Sequence, residues 1–126
     1  MEALQITQTD DSPMIILDRN ESRFEISGKS LPEDVVDFYQ PVLDWLRQYQ
    51  KDPLPKTEFT FRLIYFNTAS SKLILDLLMV LEEMAEEGHE VLVRWLSLES
   101  DEDMQEAGKE YEEMIEVPFT HGTYPK

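Results

Sequence analysis

The sequence predicts a single α/β domain, built on a mixed β-sheet with an N-terminal hairpin and crossover helices. The chain has 126 residues, 41% of them hydrophobic, which is enough for one compact core and too few for two ordinary domains. Segments with the two-residue period of strands are interspersed with segments of helical period. From residue 57 onwards strands and helices alternate, which predicts parallel strands joined by crossover helices. We therefore expect residues 1–126 to form one domain.

The N-terminal part predicts strands followed by a helix. Segments 14–18 and 22–28 are short β-type runs separated by turn-prone residues, which indicates a hairpin, and segment 3–7 has the composition of an added edge strand. Pro32, followed by two acidic residues, is a typical helix opening. The backbone N–H that proline lacks would have no partner in the first turn, and acidic side chains are stabilised at the positive end of the helix dipole. The first helix is predicted to run from there to about Gln50, with a bend at the internal Pro41.

The remaining segments alternate between strand and helix. Segment 57–66 has apolar residues on both faces, which predicts a central strand covered at least partly on both sides. Segment 70–87 has the most regular helical spacing and ends at Gly88, a residue suited to a left-handed C-cap. A strand at 90–98 follows. An acid-rich helix at 101–115, capped by Ser100 or Asp101, and a last short strand at 117–122 complete the prediction.

Composition excludes several classes of function. The 27 acidic and 11 basic residues give a net charge of -16, which repels nucleic acid and anionic membranes and favours partners with basic surfaces. The chain has no cysteine, so it has no disulfide, no thiol nucleophile and no thiolate zinc site. The N-terminus lacks the basic and apolar regions of a signal peptide, and no apolar run is long enough to cross a bilayer. We therefore expect a cytoplasmic protein without membrane insertion.

Catalytic and cofactor motifs are scarce. His89 and His121 are the only groups suited to general base chemistry near neutral pH, and no motif surrounds either, so we interpret them as surface or packing residues. An enzyme that uses one of them with nearby carboxylates is the alternative. Asp101 and Asp103 alternate as calcium ligands do, but the glycine required by a calcium loop is absent. With no glycine-rich phosphate loop either, we predict no cofactor.

The junction between the strand at 57–66 and the following helix contains an unusual number of hydroxyl groups. Its sequence, LIYFNTASSKLILDLL, contains Tyr65, Thr68, Ser70 and Ser71. The first helical N–H groups lack partners, so Asn67, Thr68 or Ser70 is expected to cap the helix. A cap accounts for one or two of these groups. A phosphoryl group is also stabilised at a helix N-terminus, so a phosphorylation switch is the second interpretation.

Several dispersed motifs resemble the SiaC family of bacterial regulatory phosphoproteins. They are YFNTASSK after a strand, PEDVVDFYQPVLDWL before it, and DEDMQEAGKEYEE followed by PF. The resemblance covers nearly the whole chain and implies a fold like the STAS domain of anti-sigma factor antagonists. It implies that Thr68 is phosphorylated by a dedicated Ser/Thr kinase of the histidine-kinase-like ATPase type and dephosphorylated by a PP2C-type phosphatase. It further implies that the unphosphorylated form, which is not an enzyme, binds and activates a diguanylate cyclase that controls biofilm formation.

The resemblance also implies roles for the neighbours of Thr68. Tyr65, Asn67, Ser70, Ser71 and Lys72 form the phosphosite motif and the helix N-terminus. Asn67 is expected to shape the turn and Ser70 to share the capping. Lys72 lies one helical turn after Thr68, where it approaches the phosphate or pairs with Asp76. Ala69 stands where the family usually has serine, so this chain lacks any contact that the serine hydroxyl makes.

Two other readings of the resemblance remain. In one, the chain is a constitutive protein-interaction module in which Thr68 serves only as a helix cap. In the other, it is a partner-switching protein like an anti-sigma factor antagonist, with an output other than cyclic di-GMP. Both alternatives keep the same fold. The first lacks control of binding by phosphorylation, and the second has a different partner.

Overall fold

The computed structural model describes residues 1–126 and contains six strands and three helices. In chain order they are β1 (Leu4–Ile6), β2 (Met14–Asp18), β3 (Arg23–Ser30), α1 (Val35–Gln50), β4 (Lys56–Phe66), α2 (Thr68–Glu86), β5 (Glu90–Leu98), α3 (Glu102–Met114) and β6 (Phe119–Tyr124). The predicted N-terminal hairpin is present as β2 and β3. The edge strand near the N-terminus and the last strand, both predicted, are confirmed as β1 and β6. None of the helices has the length and apolar character needed to cross a membrane.

The strands follow one another across the sheet in sequence order. β1, β2 and β3 are antiparallel, whereas β3, β4, β5 and β6 are parallel, so the predicted mixed sheet with crossover helices is confirmed. Right-handed crossovers that always step in the same direction place all their helices on the same side of the sheet. The three helices accordingly cover one face. We call the opposite side, to which Arg62 and Arg94 point, the open face.

The core lies between the sheet and the helices. It is a single cluster of 25 buried hydrophobic residues, and its largest side chains come from both layers. On β4, Phe59, Phe61 and Leu63 point into this core, whereas Arg62 and Ile64 are exposed on the open face. The prediction that this strand is covered on both sides is therefore wrong.

The helix ends follow from their capping residues. Asp34 caps α1, since its side chain accepts a hydrogen bond from the N–H of Asp37 at 3.1 Å, so the predicted start at Pro32 is wrong. The helix then runs through Pro41 to Gln50. Asp101 caps α3 as expected. Gly88 follows α2 with φ +96°, a left-handed conformation that suits glycine, as predicted.

Candidate functional site

A shift in strand register shapes the end of β4. Gly28 of β3 is opposite Leu63, whereas Lys29 is opposite Tyr65, so Ile64 is an extra residue in β4. Gly28 has φ +102°, which glycine adopts without strain. After the shift Tyr65 is 53% exposed, on the same side of the sheet as Ile64. The strand therefore presents two consecutive apolar side chains just before α2 begins.

Asn67 is the N-cap of α2. Its backbone is extended, and its Oδ1 accepts a hydrogen bond from the N–H of Ser70 at 2.8 Å. Thr68 is the first residue of the helix, its side chain is exposed, and its hydroxyl has no hydrogen-bond partner. Of the three residues that the sequence offered as the cap, the structure selects Asn67. The interpretation of Thr68 as the helix cap is therefore wrong.

Ser70 lies in a buried cluster of hydroxyl groups beneath Thr68. The Ser70 hydroxyl donates to the carbonyl of Ser30 at 2.8 Å and accepts from the Ser30 hydroxyl at 2.9 Å. Because the Ser30 proton is thus used, the hydroxyl of Tyr39 is the donor in its own contact with Ser30. Burial raises the pKa of Tyr39 to about 12, which keeps it a neutral donor.

The cluster attaches the first turn of α2 to β3 and α1. The backbone N–H of Asn67 also donates to the Ser30 carbonyl, at 3.3 Å. Ser70 is fully buried, so its hydroxyl is not accessible in the folded protein. The expectation that Ser70 shares the capping of α2 is wrong, because Ser70 supplies the capped N–H and its hydroxyl serves the buried cluster.

Ser71 and Lys72 complete the first turns of α2. The Ser71 hydroxyl donates to the carbonyl of Thr68 at 2.7 Å, and the Ser71 carbonyl accepts from the hydroxyl of Tyr111 on α3 at 2.8 Å. Burial raises the pKa of Tyr111 as well, so this contact is also made by a neutral phenol. Lys72 is exposed and forms no ion pair, so of its two predicted roles the pairing with Asp76 is absent, and the approach to a phosphate stays a prediction. Among the hydroxyls of the motif's helical turn, only that of Thr68 is exposed and unbonded.

A groove of about 420 Å³ lies between α2 and α3 beside Thr68. It is lined by Phe66, Asn67, Thr68, Ser71, Lys72, Leu75, Ala107, Glu110, Tyr111 and Met114. Lys72 and Glu110 supply its two charges, and Met114, which is 60% exposed, gives it an apolar end. Sequence reasoning did not find the contribution of α3. The available signal was the helical spacing of Met104, Ala107, Tyr111 and Met114, which form an apolar stripe on that otherwise acidic helix.

The remaining candidates for chemistry lie outside this groove. His121 Nε2 is 2.8 Å from Glu112 Oε1 at the surface, and His89 lies in the turn between α2 and β5. Neither histidine lines the groove. No group of three or more His, Cys, Asp or Glu side chains has the arrangement of a metal site. The site therefore offers an exposed hydroxyl at a helix N-terminus, that of Thr68, and the exposed phenol of Tyr65 in the strand before it.

Comparison with known proteins gives consistent results. A family model described as the SiaC family regulatory phosphoprotein matches residues 6–124. An uncharacterised protein of Pseudomonas aeruginosa strain UCBPP-PA14 is 33% identical over 119 residues, which are 94% of each chain. The structure of SiaC of Pseudomonas aeruginosa is 31% identical, with a TM-score of 0.89 over 98% of this chain and 100% of that one.

A second solved structure is similar in fold and shows a complex. It is the crystal structure of the diguanylate cyclase SiaD with its activator SiaC, both from Pseudomonas aeruginosa. The matching chain is 31% identical, with a TM-score of 0.91 over 96% of this chain and 99% of that one. Both the family model and the relatives span nearly the whole sequence, as the dispersed motifs predicted. The chain therefore belongs to the SiaC family of regulatory phosphoproteins.

Proposed function

We propose that the chain is a non-enzymatic adaptor whose binding to a partner is switched by phosphorylation of Thr68. The unphosphorylated form binds and activates a diguanylate cyclase that controls biofilm formation. A Ser/Thr kinase of the histidine-kinase-like ATPase type adds the phosphate, and a PP2C-type phosphatase removes it. The observation that carries the proposal is the state of the hydroxyls at this turn. Thr68 is exposed and unbonded, whereas Ser70 is buried and Ser71 donates to the helix backbone.

The start of α2 suits a phosphate. The first N–H groups of a helix have no intrahelical acceptors and lie at the positive end of its dipole, so an anion there is stabilised. Lys72, one turn further along, is exposed and free of carboxylate partners, so it offers a positive charge to the phosphate. Phosphorylation is therefore compatible with the folded state.

The groove suits control of a partner. Its lining includes Thr68 itself, so a phosphate there adds a charge of about -1.5 to -2 at the contact surface. Glu110 already lies in the same groove. A partner that packs into the groove meets this added charge, must desolvate it, and is released. In the similar complex from Pseudomonas aeruginosa, SiaC is the activator of the cyclase SiaD, which supports a diguanylate cyclase as the partner here.

Phosphosite mapping tests the switch. The purified chain and a Thr68→Ala control are incubated with host-cell extract and ATP, and trypsin releases the peptide 63–72, which contains all four hydroxyls. Fragment ions then assign the phosphate, which we expect on Thr68 and absent from the control. Phosphate on Ser71 instead, or none despite an active kinase, would contradict the proposal.

Cyclase assays test the output. Wild type and Thr68→Ala are expected to bind the purified diguanylate cyclase and to raise its synthesis of cyclic di-GMP. The phosphorylated protein and Thr68→Asp are expected to bind at least about tenfold more weakly, which corresponds to about 1.4 kcal/mol. Equal binding by all four forms would favour a constitutive interaction module. Phosphorylation on Thr68 without any effect on a cyclase would point to a different output.

A further inference from the structure

The open face of the sheet lacks the cover that a parallel sheet normally has. β3 to β6 form a parallel block, and parallel sheets occur almost only with both faces buried. Here Arg62, Ile64 and Arg94 of the two central strands are exposed. This face is therefore available to a partner.

The open face has a group of unpaired basic side chains, although the chain has a net charge of -16. Lys29, Arg62 and Arg94 point to this side and form no ion pair. The guanidinium of Arg62 lies 4.1 Å from the centroid of the Tyr124 ring, which holds the positive charge against the sheet. We call this region, together with Ile64 and Tyr65, the basic patch.

Basic side chains at the amino-terminal end of the same face have carboxylate partners. Arg23 lies 3.7 Å from Glu25, and Lys56 lies 3.4 Å from Glu58, so the positive charges there have carboxylate partners. The unpaired positive charges start at Arg94, which lies level with Glu25 in the middle of the sheet, and continue through Arg62 to Lys29 toward the carboxyl ends of the strands. Since α2 follows directly from the carboxyl end of β4, the basic patch adjoins the start of α2, where Thr68 lies.

The basic patch also has an apolar centre. Ile64 is 43% exposed and Tyr65 is 53% exposed, and they precede Thr68 by four and three residues. Exposed aromatic and aliphatic side chains beside unpaired arginines are typical of the energetically important part of a protein interface. The partner that complements this surface is a protein with acidic side chains around an apolar contact.

We propose that the basic patch is the docking surface for the kinase that phosphorylates Thr68, an assignment that rests on the proposed function. An enzyme that modifies Thr68 in a folded helix must bind beside the hydroxyl and leave it free to react. A partner in the groove covers Thr68, because Thr68 is part of the groove lining. The basic patch lies next to Thr68 without including it. A second copy of the chain fits less well, because two chains of net charge -16 repel each other.

Charge reversal tests the docking surface. The double variant Arg62→Glu with Arg94→Glu is compared with Lys51→Glu with Lys109→Glu, which makes the same change of charge at exposed positions on the helical side. Phosphate on Thr68 is followed by intact mass, using the purified kinase of the histidine-kinase-like ATPase type and saturating ATP. Circular dichroism verifies that both variants are folded. An Arg62→Gln with Arg94→Gln pair removes the charge without reversing it.

We expect the arginine reversal to lower kcat/KM by about tenfold or more through KM, with kcat unchanged, because docking energy is lost before the chemical step. For the glutamine pair, kcat/KM is expected to lie between the values for the arginine reversal and wild type. For the lysine reversal, kcat/KM is expected to stay within about twofold of wild type. Raising the salt concentration screens these charges, so it is expected to raise KM for wild type, to change KM little for the glutamine pair and to lower KM for the arginine reversal.

Other results separate the failure of this inference from that of the proposed function. If wild-type Thr68 is phosphorylated and the arginine reversal is phosphorylated equally well, the docking surface is wrong and the switch stands. If the reversal instead weakens cyclase binding, or dissociates a dimer of the wild type, the patch belongs to another partner and the inference is overturned. If the kinase leaves wild-type Thr68 unmodified, the proposed switch is wrong, and the proposed kinase docking surface is wrong as well.

Discussion

Asn67 and Thr68 are adjacent, yet only Asn67 supports the helix. The Asn67 side chain accepts the N–H of Ser70 at 2.8 Å, so Asn67→Ala removes the cap and is expected to lower the free energy of unfolding by about 1 kcal/mol. The exposed hydroxyl of Thr68 has no hydrogen bond to lose, so Thr68→Ala is expected to change stability by less than about 0.5 kcal/mol. Urea unfolding of the two variants measures both values.

An Asn67→Asp variant provides the control, because aspartate caps helices about as well as asparagine. It is expected to restore most of the stability that alanine removes. If Thr68→Ala lowered the free energy of unfolding as much as Asn67→Ala does, Thr68 would instead have a structural role. With the expected result, a change in partner binding caused by substitution of Thr68 reports on the switch and not on folding.

Sequence reasoning at this turn identified the residues but not their separate roles. It gave the motif and three possible caps, because capping depends on residues within one helical turn. It did not give the burial of Ser70, because the partner of that hydroxyl, Ser30, is 40 residues away and belongs to another strand. Which serine is accessible follows only once β3 lies beside β4.

Gly108 controls how closely α3 packs on the sheet. A Cβ atom at this position would lie 2.4 Å from Cδ1 of Trp95, whose indole Nε1 donates to the Met104 carbonyl at 2.9 Å. Gly108→Ala is therefore expected to destabilise the protein by about 1–3 kcal/mol, although alanine favours the helix itself. Chemical unfolding followed by tryptophan fluorescence measures the loss.

The same substitution is expected to weaken binding to the partner, because a displaced α3 alters the groove that Ala107 and Tyr111 line. Glu106→Ala, at an exposed position of the same helix, is the matched control and is expected to change stability by less than about 0.5 kcal/mol. If Gly108→Ala were as stable as wild type, the contact between α3 and Trp95 would be looser than described.

Periodicity predicted every helix and strand, and it was less successful at their ends and faces. Pro32 and the acids after it predict the start of α1 at Pro32, but the side chain of Asp34 caps the helix, which begins at Val35. The apolar content on both sides of β4 suggested two covered faces. Part of that content is Ile64, an extra residue in the strand register that leaves Tyr65 exposed as well. A register shift depends on the neighbouring strand, so the pattern of β4 alone does not reveal it.

At the scale of the whole molecule, the order of the strands decides which surfaces exist. Alternating strands and helices predict parallel pairing, but they do not specify the order of those strands across the sheet. The observed sequential order puts every helix on one side, and so produces both the open face and the groove between α2 and α3. The motif at Thr68 was readable in the sequence, whereas its two flanking surfaces required the fold.

Global stability at high pH tests the buried hydroxyl cluster, which connects α1, β3 and α2. Burial raises the pKa of Tyr39 from its usual value near 10 to about 12. Between these values the unfolded chain releases the Tyr39 proton while the folded protein keeps it, so the folded state binds more protons. The free energy of unfolding therefore has its full Tyr39 contribution below pH 10 and falls as pH rises to 12. One such group lowers it by at most about 1.4 kcal/mol per pH unit.

Tyr39→Phe separates this effect from other titrations. At pH 8 the variant is expected to be less stable than wild type by about 1 kcal/mol, because it loses the hydrogen bond to Ser30. Above pH 10 its stability is expected to decline less steeply, and a residual slope is expected from Tyr111, whose pKa burial also raises. Urea unfolding at intervals from pH 8 to pH 11.5 gives both curves. Groups common to the two proteins titrate alike and contribute equally to both curves of unfolding free energy against pH. Parallel curves would therefore mean that Tyr39 ionises as readily in the folded protein as in the unfolded chain. In that case the hydroxyl cluster would be open to water.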